Sequence, residues 1–346
     1  MVGRGSMAER AGTPVPTTAA PAALIVMLAT TALVMLVISL TIGPATRMID
    51  TVRALLDDPS GMAALIVLEI RLPRTLLGLM IGGTLGLCGA ALQGYLRNPL
   101  AEPGLIGVSS AAALGAVVAV YSGLASSVAL AMPLGGILGA MLAVLLVQAL
   151  AGRAAGSLSL ILAGIAVTSF AAALTSLVLN LAPNPFAALE IVFWMMGSLA
   201  DRSFTHLWLA APFMVAGWIL LFGLGRALDA LTLGEEAARS LGFDLISVRR
   251  RLVLGTALSV GAATSVAGAI GFVGLIVPHL LRPLVGHRPG RLLLVSALGG
   301  AVLTLAADVA VRLITPGREL KLGVVTALIG APFFLALVMR ARRELV

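Results

Sequence analysis

Apolar runs about 20 residues long, broken by short clusters of glycine, proline and charge, make up most of the chain. The stretches Ala22 to Ile42 and Leu292 to Val311 are examples with hardly a charge. That length of helix crosses roughly 30 Å of hydrocarbon. Dividing the runs at their polar breaks predicts ten spans, over 22–42, 72–95, 105–120, 132–150, 158–181, 207–224, 250–270, 272–285, 292–311 and 322–339. The fold class read from this pattern is all-α and polytopic, with ten transmembrane helices. The connections are too short to hold a separate folded module, so residues 21–343 are expected to form a single transmembrane domain. Residues 1–20, rich in Ala, Thr, Pro and Gly, are expected to be a disordered tail. The apolar segment after them exceeds a signal-peptide core and lacks a convincing cleavage site, so it is read as a retained first span. The third and eighth spans are short and flanked by Gly and Pro. They are expected to be broken or re-entrant helices beside a cavity, because irregular backbone at membrane depth must be shielded from lipid.

Composition agrees with this pattern. Of 346 residues, 60% are hydrophobic and 11% charged, and mean hydropathy is +1.09; soluble domains carry about 25% charged residues. The formal charge of +8 does not indicate nucleic acid, since the basic residues are scattered through short loops with few aromatics beside them. The charge distribution does bear on orientation. With a cytoplasmic N-terminus, the opposite side holds eight of the 23 Lys and Arg residues, namely Arg47, Arg53, Arg71, Arg74, Arg202, Arg312, Arg318 and Lys321, which leaves 15 inside. Both termini are therefore expected to face the cytoplasm, which requires an even number of spans. The single cysteine, Cys88, lies in an apolar Gly-rich run and reads as a structural small residue.

Three segments outside the spans carry information. On the outer side, 182–206, with Phe193, Trp194 and the nearby Trp208, reads either as an amphipathic interfacial helix or as a plain aromatic belt. On the inner side, the loop 225–249 contains Glu235-Glu236-Ala237-Ala238-Arg239-Ser240-Leu241-Gly242, a helix-forming stretch closed by a glycine suited to a left-handed cap. Alanines on its exposed face would admit another protein's surface, and Glu236 and Arg239 could orient it. An ordinary solvated helix is the alternative. Asn98-Pro99 ends a helix by steric restriction of the residue before proline.

Several stretches together resemble one family. They are Arg71-Leu72-Pro73-Arg74-Thr75-Leu76; Leu92-Gln93 with Arg97-Asn98-Pro99-Leu100-Ala101-Glu102-Pro103-Gly104; Gly107-Val108-Ser109; Gly268 through His279; and Gly323-Val324-Val325-Thr326-Ala327 with Gly330-Ala331-Pro332. In one unbroken order over roughly residues 20 to 343, they are similar to the iron-chelate and cobalamin (FecCD-type) permeases of type II ABC importers, which include haem, siderophore and vitamin B12 permeases. The resemblance implies the type II ABC importer permease fold in a homodimer of ten-span subunits in the bacterial inner membrane. It implies two cytoplasmic ATPase subunits on the 225–249 loop, through Glu235, Glu236, Ala237, Ala238, Arg239 and Gly242, with ATP and Mg bound by those subunits and no cofactor bound by this chain. It also implies a periplasmic binding protein anchored by Arg71, Arg74 and Arg312, and a cytoplasmic gate at Asn98, Leu100, Ser157 and Ser159. Read from the residues alone, Arg71 and Arg74 could instead snorkel to headgroups, and Arg312 could pair with Asp308 one helical turn away.

The cargo expected from the resemblance is an iron chelate, haem or a ferric siderophore, with cobalamin as the alternative. His279 belongs to the shared pattern rather than to a haem site, and the sequence offers no catalytic constellation, metal-ligand cluster or phosphate-cradling GxxxxGK[ST] loop. An ion-coupled secondary transporter would need carboxylates at mid-membrane, and Asp308 is the acidic residue placed in a span, near its end.

Overall fold

In hydrocarbon, a chain can satisfy its own backbone N–H and C=O groups only as helices or a closed barrel, and the apolar runs here form helices. The computed structural model describes residues 21–42, 61–128, 130–152, 157–182, 184–314 and 320–343. All regular structure among them is helical. The helices are α1 (Pro21–Thr41), α2 (Ile66–Leu96), α3 (Val108–Tyr121), α4 (Ala131–Ala151), α5 (Ser157–Asn180), α6 (Pro185–Met195) and α7 (Phe204–Phe222). They continue as α8 (Gly225–Leu231), α9 (Glu235–Ser240), α10 (Leu245–Ala267), α11 (Val273–Leu281), α12 (Pro289–Ile314) and α13 (Leu322–Arg343).

Each of the ten expected spans corresponds to one of these helices. Seven, namely α1, α2, α4, α5, α7, α12 and α13, are long and apolar enough to cross a membrane unaided. Helix α10 is long enough but begins with Arg249, Arg250 and Arg251 in its first turns. Helices α3 and α11, of 14 and nine residues, are the short third and eighth spans. Some boundaries differ from those read in the sequence. Helix α2 starts at Ile66 rather than 72 because a π-turn, Ile66–Arg71, precedes the α-helical part and brings Glu69 and Arg71 into the helix. The loop expected over 225–249 is mostly helical, holding α8, α9 and the start of α10. Helix α6 is the expected outer-side helix, yet it is apolar all round except for Glu190, so its periodicity is not amphipathic. The tail over 1–20 lies outside the described residues, as does the stretch 43–60 of the outer segment.

Helices α2 and α12 form the centre: 83% of the apolar window of α2 is buried and 61% of that of α12, against 22% in α1 and 17% in α13. Hydrophobic burial does not hold helices together in lipid, where the tails are as apolar as leucine; close backbone approach through small residues does. Gly82 faces Gly300 and Gly86 faces Ser296 so closely that a Cβ on either glycine would overlap the facing carbonyl oxygen. Gly89 meets Gly274 of α11 in the same way, Gly115 meets Gly135 between α3 and α4, and Gly217 meets Gly255 between α7 and α10. Helix α10 is buried almost continuously from Leu252 to Ala267 and joins this centre to α4 and α7. Helix α4, by contrast, turns Leu138, Leu142, Leu145 and Leu150 outward, as a lipid-facing helix should.

The close contact at Gly86 gives a direct prediction. Gly86→Val forces the α2–α12 pair apart and is expected to cost about 2–3 kcal/mol, seen as a lowered melting temperature of the detergent-purified chain. Gly271→Ala, where an added Cβ has no atom within 4 Å, is expected to melt like the parent; equal melting of all three would contradict the packing account.

Candidate functional site

At one end of the bundle, the C-terminus of α1, the start of α2 and the last turns of α12 meet. The three arginines singled out in the sequence are gathered there around Asp308, which is 1% exposed. Arg74 donates to both carboxylate oxygens, from Nη2 to Oδ1 at 2.8 Å and from Nε at 3.1 and 3.2 Å. Arg312 donates from Nη2 to Oδ2 at 2.9 Å, so the pairing with Asp308 one turn away exists alongside the Arg74 pair. The remaining donors tie down the end of α1. Arg312 reaches the carbonyls of Ser39 at 2.8 Å and Ile42 at 3.0 Å, and Arg71 those of Leu40 at 3.1 Å and Thr41 at 3.2 Å. These carbonyls are the acceptors a helix C-terminus leaves without intrahelical partners. The hydroxyls of Ser39 and Thr75 bond at 2.8 Å. The arginines were expected to stand exposed; Arg71 and the Arg312 side chain are instead 6% and 7% exposed, and Arg74 is the most accessible, at 19%. Among the described residues, the cluster holds three guanidiniums and one carboxylate.

At the opposite end, α9 stands out from the body. Its cap is a complete Schellman motif: Gly242, at φ +86°, donates its N–H to Arg239 O at 2.9 Å, and Phe243 donates to Ala238 O at 3.1 Å. The expected left-handed glycine is therefore in place. The face presented outward differs from expectation. Ala238 is fully buried and seats the helix on the body, while Glu236, Arg239 and Ser240, with the flanking Leu233 and Leu241, form the exposed surface. Arg239 lies 3.7 Å from Glu235.

The third group of residues follows the end of α2. Arg97 closes that helix in the left-handed conformation, and Asn98 Oδ1 accepts from the Leu100 N–H at 2.9 Å, making the tight turn at Asn98-Pro99. Ser157 and Ser159 open α5. The contact joining the two segments lies further along each, where Gly164 presses on Leu105 and Ile106 and Gly107 on Gly164. Sequence reasoning missed what anchors this loop. Pro103 packs on Gly274 at the start of α11, just after Phe272, which sits at φ +66°. The Phe272 ring lies under Gly330 of α13. His279 makes an edge-to-face contact with Phe333, 5.7 Å between centroids.

Asp308→Asn removes the charge shared by Arg74 and Arg312. Leaving buried guanidiniums unpaired is expected to cost about 3 kcal/mol or more, read as a lower melting temperature, whereas Glu236→Gln on exposed α9 is expected to leave melting unchanged.

Comparison with known proteins places this architecture. The FecCD transport family matches residues 29–340. An uncharacterized ABC transporter permease protein, YvrB of Bacillus subtilis, is 39% identical over 292 residues, covering 83% of this chain and 82% of that protein. The cobalamin import system permease protein BtuC of Halobacterium salinarum is 42% identical over 276 residues, 80% and 73% of the two chains. The vitamin B12 import system permease protein BtuC of Salmonella newport is 38% identical over 286 residues, 82% and 86%. A solved chain assigned to a metal-chelate type ABC transporter, in an inward-facing conformation, superposes with a TM-score of 0.83 at 32% identity, covering 92% of this chain and 99% of that one. With its ordered run of helices and a family match across nearly its whole length, this chain belongs to the FecCD transport family of ABC importer permeases.

Proposed function

We propose that two copies of this chain form the passage of an ATP-driven importer in the bacterial inner membrane, with the α9 end in the cytoplasm and the Arg74 end outside. The observation that carries this reading is α9 itself. It is a short helix stiffened by a Schellman cap, seated by Ala238 and exposing Glu236, Arg239, Ser240 and two leucines, and it offers a partner ATPase a rigid projection to push. ATP and magnesium belong to that partner. Movement of α9 would enter the core directly, since two residues separate Gly242 from α10, the most continuously buried inner helix after α2.

At the outer end, the accessible guanidinium of the Asp308 cluster suits the carboxylates of a substrate-binding protein. Arg74 is the arginine placed to reach them, while Arg71 and Arg312 hold the end of α1. The gate reading assigns Asn98, Leu100, Ser157 and Ser159 to the inner mouth, where closure by packing needs no charged filter.

The passage would run along α5, α6 and α13. Helix α5 exposes Ala166, Ser169, Ala173, Ser176 and Asn180 in one stripe, unlike the leucine face of α4. Between α6 and α13, Met195, Met196, Ala269, Gly271, Val324 and Leu328 line an open hollow of about 650 Å³. A smooth apolar wall with adaptable methionines suits a bulky chelate held weakly. Cobalamin is the first cargo to test, because two relatives at 38% and 42% identity are named for it. An iron chelate, haem or a ferric siderophore, is the second, favoured by the likeness to a metal-chelate type transporter.

The chain reconstituted in proteoliposomes with the ATPase and binding protein of its own system is expected to hydrolyse ATP faster when the binding protein is loaded, and only with its proper cargo among cobalamin, haem and ferric siderophore. Gly242→Pro, which cannot adopt the left-handed cap or donate its N–H, is expected to reduce the stimulation by at least about tenfold, as a backbone penalty of about 3 kcal/mol would. Arg74→Gln, which leaves Asp308 paired with Arg312, is expected to weaken the binding protein's affinity more than it lowers basal hydrolysis. Failure to form a complex with the ATPase subunit would overturn the reading.

A further inference from the structure

A second charged constellation lies at the α9 end, apart from α9 and from the hollow along α13. Helices α2 and α11 both finish there; Arg97 closes α2 at φ +50°, and His287, in the link from α11 to α12, is held at φ +60°. Such backbone is costly and persists where the surroundings impose it. Both residues line a cavity of about 210 Å³, with Arg282, Gln93, Gly94, Thr232 and Leu292 completing its wall. At liquid density that space would hold about seven waters.

Three of the lining residues are basic-type side chains, Arg97, Arg282 and His287, and none carries a carboxylate. Arg282 is half-buried. Its Nη2 donates to Gln93 Oε1 at 2.7 Å, and its Nε, out of reach of solvent, has no acceptor among the described residues. Gln93 is fixed in turn by its amide, which donates to the carbonyls of Gly274 and Leu275 at 3.4 and 3.3 Å. Arg97, Arg282 and His287 make no ion pair among the described residues. Asp229, the carboxylate next to this corner, is engaged by the Gly290 N–H at 2.8 Å. The negative ends of α2 and α11 account for cations gathering here, but they leave the buried Arg282 Nε without an acceptor among the described residues. Arg288 and Arg291, both exposed, add to the positive field at the mouth.

We propose that this cavity is an anion site for a phosphate group, gripped by Arg97 and Arg282 with His287 and Thr232 at its rim. Guanidinium forks match phosphate oxygens in pairs, and the Gln93–Arg282 bond presets one of them. The position at the helix ends allows two sources of the same chemistry, the headgroup of an anionic phospholipid or free phosphate. The site is independent of the cargo and of which membrane face α9 occupies.

The test uses the full chain, in detergent with inorganic phosphate and in nanodiscs of phosphatidylcholine with or without phosphatidylglycerol. Calorimetry would read binding of phosphate, and native mass spectrometry the retention of lipid. Retention of phosphatidylglycerol over phosphatidylcholine identifies a headgroup, and saturable phosphate binding in detergent identifies the free ion. In either case the double variant Arg97→Gln, His287→Gln, which leaves the Arg282–Gln93 bond in place, is expected to bind about tenfold or more weakly, as loss of a charge-assisted bond implies. Arg239→Gln, on the same face outside the cavity, is expected to bind like the parent. Binding of neither ligand, unchanged binding by the double variant, or equal weakening in Arg239→Gln would overturn the proposal.

Discussion

The contact on which this molecule depends is the near-touching of α2 and α12. Two helices in lipid gain little from hiding leucines, so the pair is held by backbone approaching backbone where Gly82, Gly86 and Gly300 leave room. A contact that close fixes both the distance and the axial register of the helices. Register matters because it sets which polar groups meet twelve residues back along α2 and twelve residues on along α12. With Gly86 opposite Ser296, Arg74 arrives level with Asp308, and the buried carboxylate is satisfied by a guanidinium from another helix. The same helix meets α11 at Gly89, which brings Gln93 beside Arg282 at the other end. One seam of small residues therefore positions the polar clusters at both ends of the bundle.

The two ends are built for different tasks. At the Asp308 end, charge is internal, and most of its donors are used to hold the last turn of α1. At the other, the polar groups project outward, on α9 and around the cavity at Arg97 and Arg282. The link 97–107 is held against the start of α11 by Pro103 on Gly274, and Phe272 packs on Gly330 of α13.

Much of this was legible in the sequence. The ten apolar runs appear in order as ten helices, the short third and eighth among them, because span length is dictated by bilayer thickness. Gly242 was readable because a left-handed cap after a helix-forming stretch has a local signature. What was not readable depends on long-range register. Nothing near Arg74 announces Asp308, 234 residues away, so an arginine expected at the surface turned out to be half-spent on an internal pair. Ala238 was expected outside because α9 is short and its alanines look alike. Only the packing of α9 on α8 and α10 separates the buried Ala238 from the half-buried Ala237. The π-turn before α2 also has no pattern of its own; its consequence, Arg71 aimed at the end of α1, appears only once both helices are placed.

The central claim is that force from an ATPase enters this chain through α9. The most direct measurement is cross-linking from a cysteine introduced there, Ser240→Cys, in membranes that contain the partner ATPase, with Arg74→Cys at the other end as the control and the native Cys88 buried in the core. The account predicts a cross-link from position 240 to the ATPase that changes in yield when ATP is bound, and none from position 74. A cross-link from position 74 with none from position 240 would contradict it.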